Sequence, residues 1–405
     1  MKRRSRSLLV FSVLFAVLSG GSLILAPDGA AIEYSKASAL FLLISPSARI
    51  NGMGQAGVAV PDEPMGYYNP AAPALNTRGY NLSYVASTER IGWLPPIANG
   101  MNYSYSGLQV SADMISLVRS YLRGSEERLP SQQARLLRRL WRDVSVGVAL
   151  SHYKTERYLS TANNTVISAN IRLLADFSAG MTLIDYESQL GYSVGIAKGS
   201  AQNYGLMIRL PLVQAFETLS GHSVKLPNGL RPVLESTYGV SWNHRGDGMR
   251  YSGLTDPVPL PCNRKTGYGL DLAVNMDYRS TSLDLFRVLI ATERERTQTS
   301  ASEQDDVIDK IGFEQEILET LVLRRGKFND APGQPDIRTS GITIKSDGLM
   351  KIIANLHADR RNADPGILSY MARHLSIAWH KSTYEIEDTW LDGSEFEQIT
   401  LSLSF

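Results

Sequence analysis

Three glycines near the start of the chain have a spacing that binds dinucleotides in other proteins. Gly52, Gly54 and Gly57 match G-x-G-x-x-G, which holds a pyrophosphate only where a strand leads into a helix. Pro61 and Pro64 follow here, and proline interrupts a helix. Nucleotide chemistry is therefore not predicted, and no cofactor is expected.

Histidine and cysteine give no stronger catalytic signal. The sequence contains no H-E-x-x-H or phosphate-binding-loop motif, and its six histidines are scattered. His374 and His380 lie six residues apart, which would place them on one face of a strand, but no third ligand is spaced for zinc. The single Cys262 cannot form an internal disulfide. We expect neither a metal site nor an enzyme; an outer-membrane enzyme with Ser and His on a barrel is the alternative left open.

Charge and hydropathy narrow the class of protein. The chain has 41 basic and 40 acidic residues, so it lacks the strongly basic character of nucleic-acid-binding proteins, and no nucleic-acid partner is expected. Past residue 26, no uncharged apolar run approaches the roughly 20 residues that a spanning helix requires. If the mature chain spans a membrane, it must do so as a closed β-barrel.

The first 31 residues have the composition of an export signal. Four basic residues at 2–6 precede an uncharged apolar stretch at 8–26, and small residues follow at 29–31. This pattern predicts a signal peptide over residues 1–31, cleaved near Ala31. The length of the apolar stretch leaves a retained membrane anchor open.

Long segments of the mature chain alternate between apolar and small or polar residues. Such segments are strands with one apolar face, and several reach the 9 to 11 residues of a tilted transmembrane strand. Tyr or Trp often ends the apolar row, where an aromatic girdle would meet lipid headgroups; the residues concerned are Tyr84, Tyr103, Tyr268, Tyr278 and Trp379. The opposite face carries Arg209, Asp271, Asn275, Asp277 and Lys345. A dry core would not tolerate such charges unpaired, so we predict a lumen; a soluble β-sandwich is the alternative.

These strands predict an all-β fold, a transmembrane antiparallel β-barrel of about 14 strands with an N-terminal plug-like segment. We expect the plug-like segment at 32–78 and the barrel at 79–405, with residues 349–359 as one of its strands. An even strand number places both ends of the barrel in the periplasm. Long loops are predicted near 125–143, 213–235, 246–266 and 292–310, of which the second to fourth are expected on the outer side. Within the first, we expect a basic amphipathic helix, either packed on the barrel rim or lying on the membrane surface.

The last strand carries a pattern of its own. Ile399, Leu401, Leu403 and Phe405 alternate with small polar residues. This resembles the C-terminal strand that the barrel assembly machinery recognises in bacterial outer-membrane proteins. The resemblance implies that these residues are an assembly signal, and that the protein is located in the outer membrane of a Gram-negative-type bacterium, in contact with its lipid.

The most distinctive segment of the chain lies between residues 40 and 75. It contains FLLISPSAR at 41–49, GMGQAGVA at 52–59 and YNPA at 68–71. In order and spacing these blocks resemble the N-terminal signature of the PorV/PorQ family, which is related to the FadL-type fatty-acid transporters. A weaker likeness covers 312–330. The extra length around 125–143 and 213–266 departs from the family.

The resemblance implies a barrel whose mouth is filled by this segment. Glycines let a backbone turn tightly and approach its neighbours, and Asn-Pro opens a turn. Whether these residues contact a ligand or only shape the segment stays open at this point. The residues of the plug-like motif are Gly52, Met53, Gly54, Gly57, Asn69, Pro70 and Ala71.

Three functions are compatible with the resemblance. The main expectation is a part in type IX protein secretion, in which the barrel binds secreted cargo or other secretion-system proteins. The alternative is a FadL-like channel for uptake of hydrophobic small molecules such as long-chain fatty acids, which leave through a gap in the wall beside the plug. The third is a scaffold for partners in an envelope complex.

Overall fold

The structure is a computed structural model that describes residues 38–75, 79–87, 91–93, 101–117, 143–155, 160–188, 196–251, 257–278, 281–297, 307–329, 336–361, 367–385 and 394–405. Within them, fifteen strands form one antiparallel sheet that closes on itself. The strands are β1 Tyr80–Ser87, β2 Ile91–Trp93, β3 Met101–Asp113, β4 Val144–Thr155, β5 Thr161–Arg172, β6 Asp176–Ser188, β7 Ala197–Pro211, β8 Leu230–Arg245, β9 Asn263–Tyr278, β10 Thr281–Thr297, β11 Val307–Ile317, β12 Leu321–Asn329, β13 Asp336–Lys345, β14 Leu375–Glu385 and β15 Glu395–Ser404. The predicted signal peptide at 1–31 and the predicted amphipathic helix at 125–143, except Asp143, lie outside the described residues.

β1 and β2 share one position in the barrel wall. Both pair with β3 on one side and with β15 on the other. The fifteen strands therefore fill fourteen positions, which confirms the predicted barrel of about 14 strands. Closure gives each described strand a partner on both sides, as spanning a bilayer requires.

The wall is apolar outside and mostly small or polar inside. In β4, for example, Val148 and Leu150 are exposed on the outer face, whereas Ser145, Ala149 and Ser151 are buried inside. Exposed apolar side chains continue around the circumference, from Leu108 and Val110 on β3 to Ile399 and Leu401 on β15. A closed apolar wall of this extent is stable against hydrocarbon rather than water. The chain is an outer-membrane β-barrel.

Most of the predicted girdle lies on the outer face. Tyr84 and Tyr268 are exposed there, Tyr268 at 64%, and Trp379 lies on the outward row of β14. The prediction for Tyr103 is wrong, because this side chain faces the lumen with 1% exposure. The side chain of Tyr278 lies outside the described residues.

The strand directions define two ends of the barrel. At one end, Tyr80 N–H donates to Phe405 O at 3.0 Å and closes the seam between first and last strands. Because the chain ends of an even-stranded outer-membrane barrel lie in the periplasm, we assign this as the periplasmic end. At this end lie the helices α1 Leu212–Ser220, α2 Asp347–Arg361 and α3 Ile367–His374. Among the described residues, no helix has the length and apolarity needed to cross a bilayer.

One predicted strand is replaced by a helix, and one residue predicted to lie on a strand ends another helix. Residues 349–359, predicted as a strand, lie within α2, where Leu349, Ile353 and Leu356 are exposed at helical spacing. His374 ends α3, so it does not share a strand face with His380. The apparent alternation in this region was too short to separate a strand from a helix.

The predicted loops are shorter than expected, and one lies at the other end. The region 213–235 contains most of α1 and the start of β8, and it lies at the periplasmic end rather than outside. The loop at 246–266 ends at Asn263, and the loop at 292–310 loses residues to both β10 and β11. β5 was not predicted, because its polar run of Thr and Asn resembles a turn.

Candidate functional site

Residues 38–75, here called the plug, lie inside the barrel. The plug begins at the outer end, where Ser38 N–H donates to Pro259 O at 2.8 Å in the loop between β8 and β9. It ends at the periplasmic end, just before β1. Short helical turns, among them Ala48–Asn51 and Ala72–Leu75, interrupt an otherwise irregular path.

Inward-facing glycines of the wall make room for the plug. A β-carbon at any of these positions would collide with plug atoms, mostly of the backbone. The wall and the plug therefore fit each other residue by residue, because no room is left for a side chain at these positions. The glycines concerned are Gly147, Gly180, Gly205, Gly239, Gly312 and Gly326.

The glycine motif at residues 52–57 forms a turn that is hydrogen-bonded to the barrel wall. Gly54 has φ of 61°, a left-handed conformation that favours glycine, and its N–H donates to Thr339 Oγ1 at 2.9 Å. Gly57 N–H donates to Glu293 Oε2 at 3.0 Å. Met53 is fully buried against the wall glycines, and Gly52 packs on Gly341.

The second motif block is joined to the first by the Asn69 side chain. Asn69 Nδ2 donates to Val58 O at 2.9 Å and to Leu206 O of β7 at 3.0 Å. Its Oδ1 accepts from Ala71 N at 3.1 Å, and Pro70 packs against Gly180 and Gly205. These contacts give Asn69, Pro70 and Ala71 a structural role in the plug.

A buried ion-pair network, which was not among the predicted site residues, fixes the plug to β11. The Arg49 guanidinium forms a bidentate pair with Glu314, at 2.9 Å from Nε and 2.7 Å from Nη2. Arg324 of β12 also pairs with Glu314, and Arg49 Nη1 lies 3.1 Å from Asp62 Oδ1. Arg287 of β10 holds Asp62 from the other side at 3.1 Å.

The sequence contained a signal for this network. Arg49 belongs to the SPSAR block, and Glu314 and Arg324 belong to the 312–330 segment that carries the weaker family likeness. The structure thus brings two separate resembling segments into one contact. A buried charge that faces the interior of a membrane barrel requires a partner of opposite charge. An inward-facing carboxylate such as Glu314 was therefore a candidate for contact with the plug.

A cavity of about 150 Å³ lies beside this network. Its lining combines cations and carboxylates, including Arg49, Asp62, Glu63 and Glu316. Burial raises the pKa of Glu63 to about 7, and Arg49, 3.9 Å away, offsets only part of this effect. Burial also acts to raise the pKa of Asp62, but Arg49 and Arg287 outweigh it and hold that pKa well below its usual range.

The outer half of the lumen has a different chemistry. Apolar and aromatic side chains point inward there, around the first residues of the plug, Phe41, Leu42 and Ile44. We call this region the apolar chamber. Its wall residues are Val85, Tyr103, Tyr105, Tyr153, Ala162, Ile184, Tyr186, Phe328, Ile337, Tyr384 and Phe396.

The apolar chamber meets an irregularity in the wall. The ladder between β7 and β8 shifts register between Gln202 and Tyr204. Asn203 and His244, at this irregularity, line a small cavity together with Leu42 and Tyr153 of the chamber. This is a place where the wall is held by fewer regular ladder bonds.

The predicted C-terminal residues lie apart from the plug. Ile399, Leu401 and Phe405 are exposed on the lipid-facing side of β15, and Leu403 lies on the same row. Phe405 stacks on His374 with ring centroids 5.8 Å apart. They form the closing seam, not the lumen.

Among the described residues, no three His, Cys, Asp or Glu side chains are grouped for a metal ion. The sequence contains one G-x-S-x-G spacing, at 191–195, in a segment outside the described residues. That motif acts at a strand-to-helix turn, whereas here β6 and β7 on either side are antiparallel neighbours.

Comparison with known proteins gives likeness in fold alone. No family model and no curated protein matches the sequence. The solved structures that resemble the chain include CdiB from Acinetobacter baumannii, with 10% identity over 80% of this chain and a TM-score of 0.33; the chain spans 60% of that protein's length. They also include the CymD monoaromatic hydrocarbon channel, with 11% identity, coverage of 89% and 97%, and a TM-score of 0.39. The Ralstonia pickettii toluene transporter TbuX has 12% identity, coverage of 89% and 98%, and a TM-score of 0.39.

Proposed function

We propose that the protein is an outer-membrane channel that takes up hydrophobic small molecules, with the plug controlling passage. The observation that carries this proposal is the apolar chamber. Barrel interiors are ordinarily polar, so a lumen lined by inward-facing Tyr, Phe and Ile at its outer end suits an apolar passenger. Apolar contact with such walls supplies the favourable free energy of entry.

The lower half of the lumen is unsuited to the same passenger. Buried ion pairs between plug and wall close the axial route there, and separating such a pair in the interior is costly. Contact with charged walls would also give an apolar molecule no favourable free energy. We therefore place the exit in the wall, at the β7–β8 irregularity beside Asn203 and His244, from where the molecule enters the bilayer.

The plug is held unequally along its length. Residues 45–75 are fixed by ion pairs and by wall glycines. Residues 38–44 are held mainly by apolar packing, with Tyr67 Oη donating to Leu42 O at 2.9 Å and to Ile44 O at 3.1 Å. In the proposal, this first stretch moves to admit the passenger while the remainder stays seated.

A flux measurement in proteoliposomes tests the proposal. Ala162 faces the chamber on β5, and Ala169 faces outward on the same strand. Ala162→Trp should fill the chamber and reduce the influx of a long-chain fatty acid or toluene severalfold, whereas Ala169→Trp should leave it unchanged. Heat-modifiable gel migration verifies that both variants are folded. Equal influx through both variants, or influx no faster than in protein-free vesicles, would contradict a channel of this kind.

The exit has its own test. Tyr204 and Trp242 are register partners at the irregularity, and Ile208 and Tyr238 are partners four residues further along the same strands. A disulfide in Y204C/W242C should stop flux until reductant is added, whereas one in I208C/Y238C should not. Flux blocked equally by both disulfides would place the exit elsewhere.

A second candidate is the part in type IX secretion that the PorV/PorQ resemblance implies. It is favoured by the match of residues 41–71 and by a plug that is firmly fixed over most of its length. Purification of the barrel from envelope extract should then recover secreted proteins with a type IX sorting domain. Recovery of none, from cells that produce such cargo, would count against it.

A further inference from the structure

The outer face of the barrel carries a group of arginines on one side only. Arg264 of β9, Arg296 of β10, Arg325 of β12 and Arg338 of β13 are all exposed and lie on the outward rows of their strands. Among the described residues, no ion pair joins any of the four to a carboxylate. We call them, together with Lys327, the basic patch.

The pairing register brings these charges into direct opposition. Arg264 faces Arg296 across the β9–β10 ladder, and Lys327 faces Arg338 across the β12–β13 ladder. Like charges directly opposite one another on a sheet are destabilising. Only β11 lies between the two ladders, so with neighbouring strands about 4.8 Å apart the patch spans roughly 19 Å of wall.

Within the part of the chain that the structure describes, acids near the patch balance only some of its charge. Asp309 is engaged by Arg294 at 2.7 Å, and Asp336 by Lys327 at 2.9 Å. Glu385 of β14 faces Arg338 across the β13–β14 ladder. Among the described residues, no carboxylate lies opposite Arg264, Arg296 or Arg325 in the pairing register. The opposite wall differs, because Lys198 of β7 there pairs with Glu187 of β6 at 2.5 Å.

The basic patch lies on the lipid-facing surface near the outer end of the barrel. Arg264 and Arg296 lie at the outer ends of β9 and β10, just beyond the apolar rows that begin at Tyr268 and Ile290. The Arg264 guanidinium lies 5.7 Å from the ring centroid of Trp242, an aromatic side chain at the membrane interface. Arg325 lies deeper on β12, and its long side chain can extend toward the headgroups. The patch is thus continuous with the lipid-facing wall at the height of the outer leaflet.

We infer that the basic patch is a binding site for a phosphorylated lipid headgroup of the outer leaflet, the chemical class to which lipid A belongs. Guanidinium groups form bidentate, charge-assisted hydrogen bonds with phosphate. A phosphate between two arginines replaces their repulsion by attraction to both. The lipid would sit on the β9–β13 side of the barrel and not on the β4–β7 side.

Native mass spectrometry of the full-length barrel tests this inference. The purified protein is mixed in detergent with bis-phosphorylated lipid A or with its dephosphorylated analogue. Wild type should retain the phosphorylated lipid strongly and the analogue weakly. R264Q/R296Q should lower retention about tenfold or more, given the contribution of each arginine near an anionic lipid surface; R325Q/R338Q provides the same test should the first variant not fold.

The matched control is K154Q/K198Q, which removes two outward charges from the outer ends of β4 and β7. This variant should retain the phosphorylated lipid to within about twofold of wild type, since a charge far from the bound phosphate is screened. Equal retention of both lipids by wild type would mean that acyl chains alone are bound. An equal loss in the control would mean that net charge alone matters. Either result overturns the assignment.

Discussion

At the scale of single residues, Glu314 is the centre of the contact between plug and wall. It accepts from both Arg49 and Arg324 in a buried site. Removing one partner of a buried pair leaves the other charge without compensation. Because two guanidinium groups depend on this one carboxylate, its loss should be more costly than the loss of either arginine.

The variant Glu314→Gln tests this. It should lower the free energy of unfolding by about 3–5 kcal/mol, measured from the heat-modifiable gel shift as a function of temperature. The control is Asp309→Asn on the same strand, which breaks an exposed pair with Arg294 and should leave the transition unchanged. Equal transitions for the two variants would show that the buried network does not hold the plug.

Glu63 should give the barrel a pH-dependent stability. Its pKa in the folded protein is about 7, raised from 4.5, so the folded state favours the protonated carboxyl. Between these values the folded state binds more protons than the unfolded state, and stability therefore falls as the pH rises from about 4.5 to about 7. Glu63→Gln, which stays neutral, should match wild type near pH 4 and exceed it at pH 8 by roughly 3 kcal/mol. A constant difference across this pH range would contradict the burial of a titrating Glu63.

At the scale of elements, the plug is seated by glycines rather than by regular structure. Gly180 of β6 packs against Pro70, and the neighbouring Ala179 points outward. Gly180→Val should displace this part of the plug, because a side chain there overlaps the Pro70 carbonyl. Ion conductance across a planar bilayer should then rise, whereas Ala179→Val should conduct like wild type. No increase for Gly180→Val would mean that this seat does not keep the lumen closed.

The last strand closes the barrel by pairing with the first. Phe405 N–H donates to Tyr80 O at 2.8 Å, and its ring lies on the outer wall beside His374. If the assembly machinery recognises this residue, deleting Phe405 should reduce the amount of heat-modifiable protein in the outer membrane. Phe405→Tyr keeps the aromatic ring and the backbone pairing, so it should assemble normally. Normal assembly of the deletion would argue against a C-terminal signal.

At the scale of the whole molecule, the sequence predicted the barrel better than its interior. The period of two is local, so β1, β3 and β11 could be found within a few residues of their bounds. The α2 helix was missed because a short apolar run fits both periods. The inward direction of Tyr103 was also missed, because alternation alone does not say which row of a strand faces lipid, and in β3 the row with the tyrosines is the buried one.

The lumen depends on contacts that no local pattern contains. Arg49 and Glu314 are separated by 265 residues along the chain, and only closure of the barrel brings them together. The apolar chamber likewise gathers side chains from most of the wall. Its chemistry was not predicted, because the rule of a polar interior suggested water where the structure has Tyr, Phe and Ile.

In the proposed function, an apolar molecule occupies the apolar chamber above the ion-paired part of the plug. Anomalous X-ray diffraction from crystals grown with a bromine-labelled long-chain fatty acid would locate the label directly. We expect a bromine peak inside the wall, between Leu42 and the side chains of Tyr153 and Ile184. Bromine peaks on the lipid-facing surface alone, with none in the lumen, would contradict it.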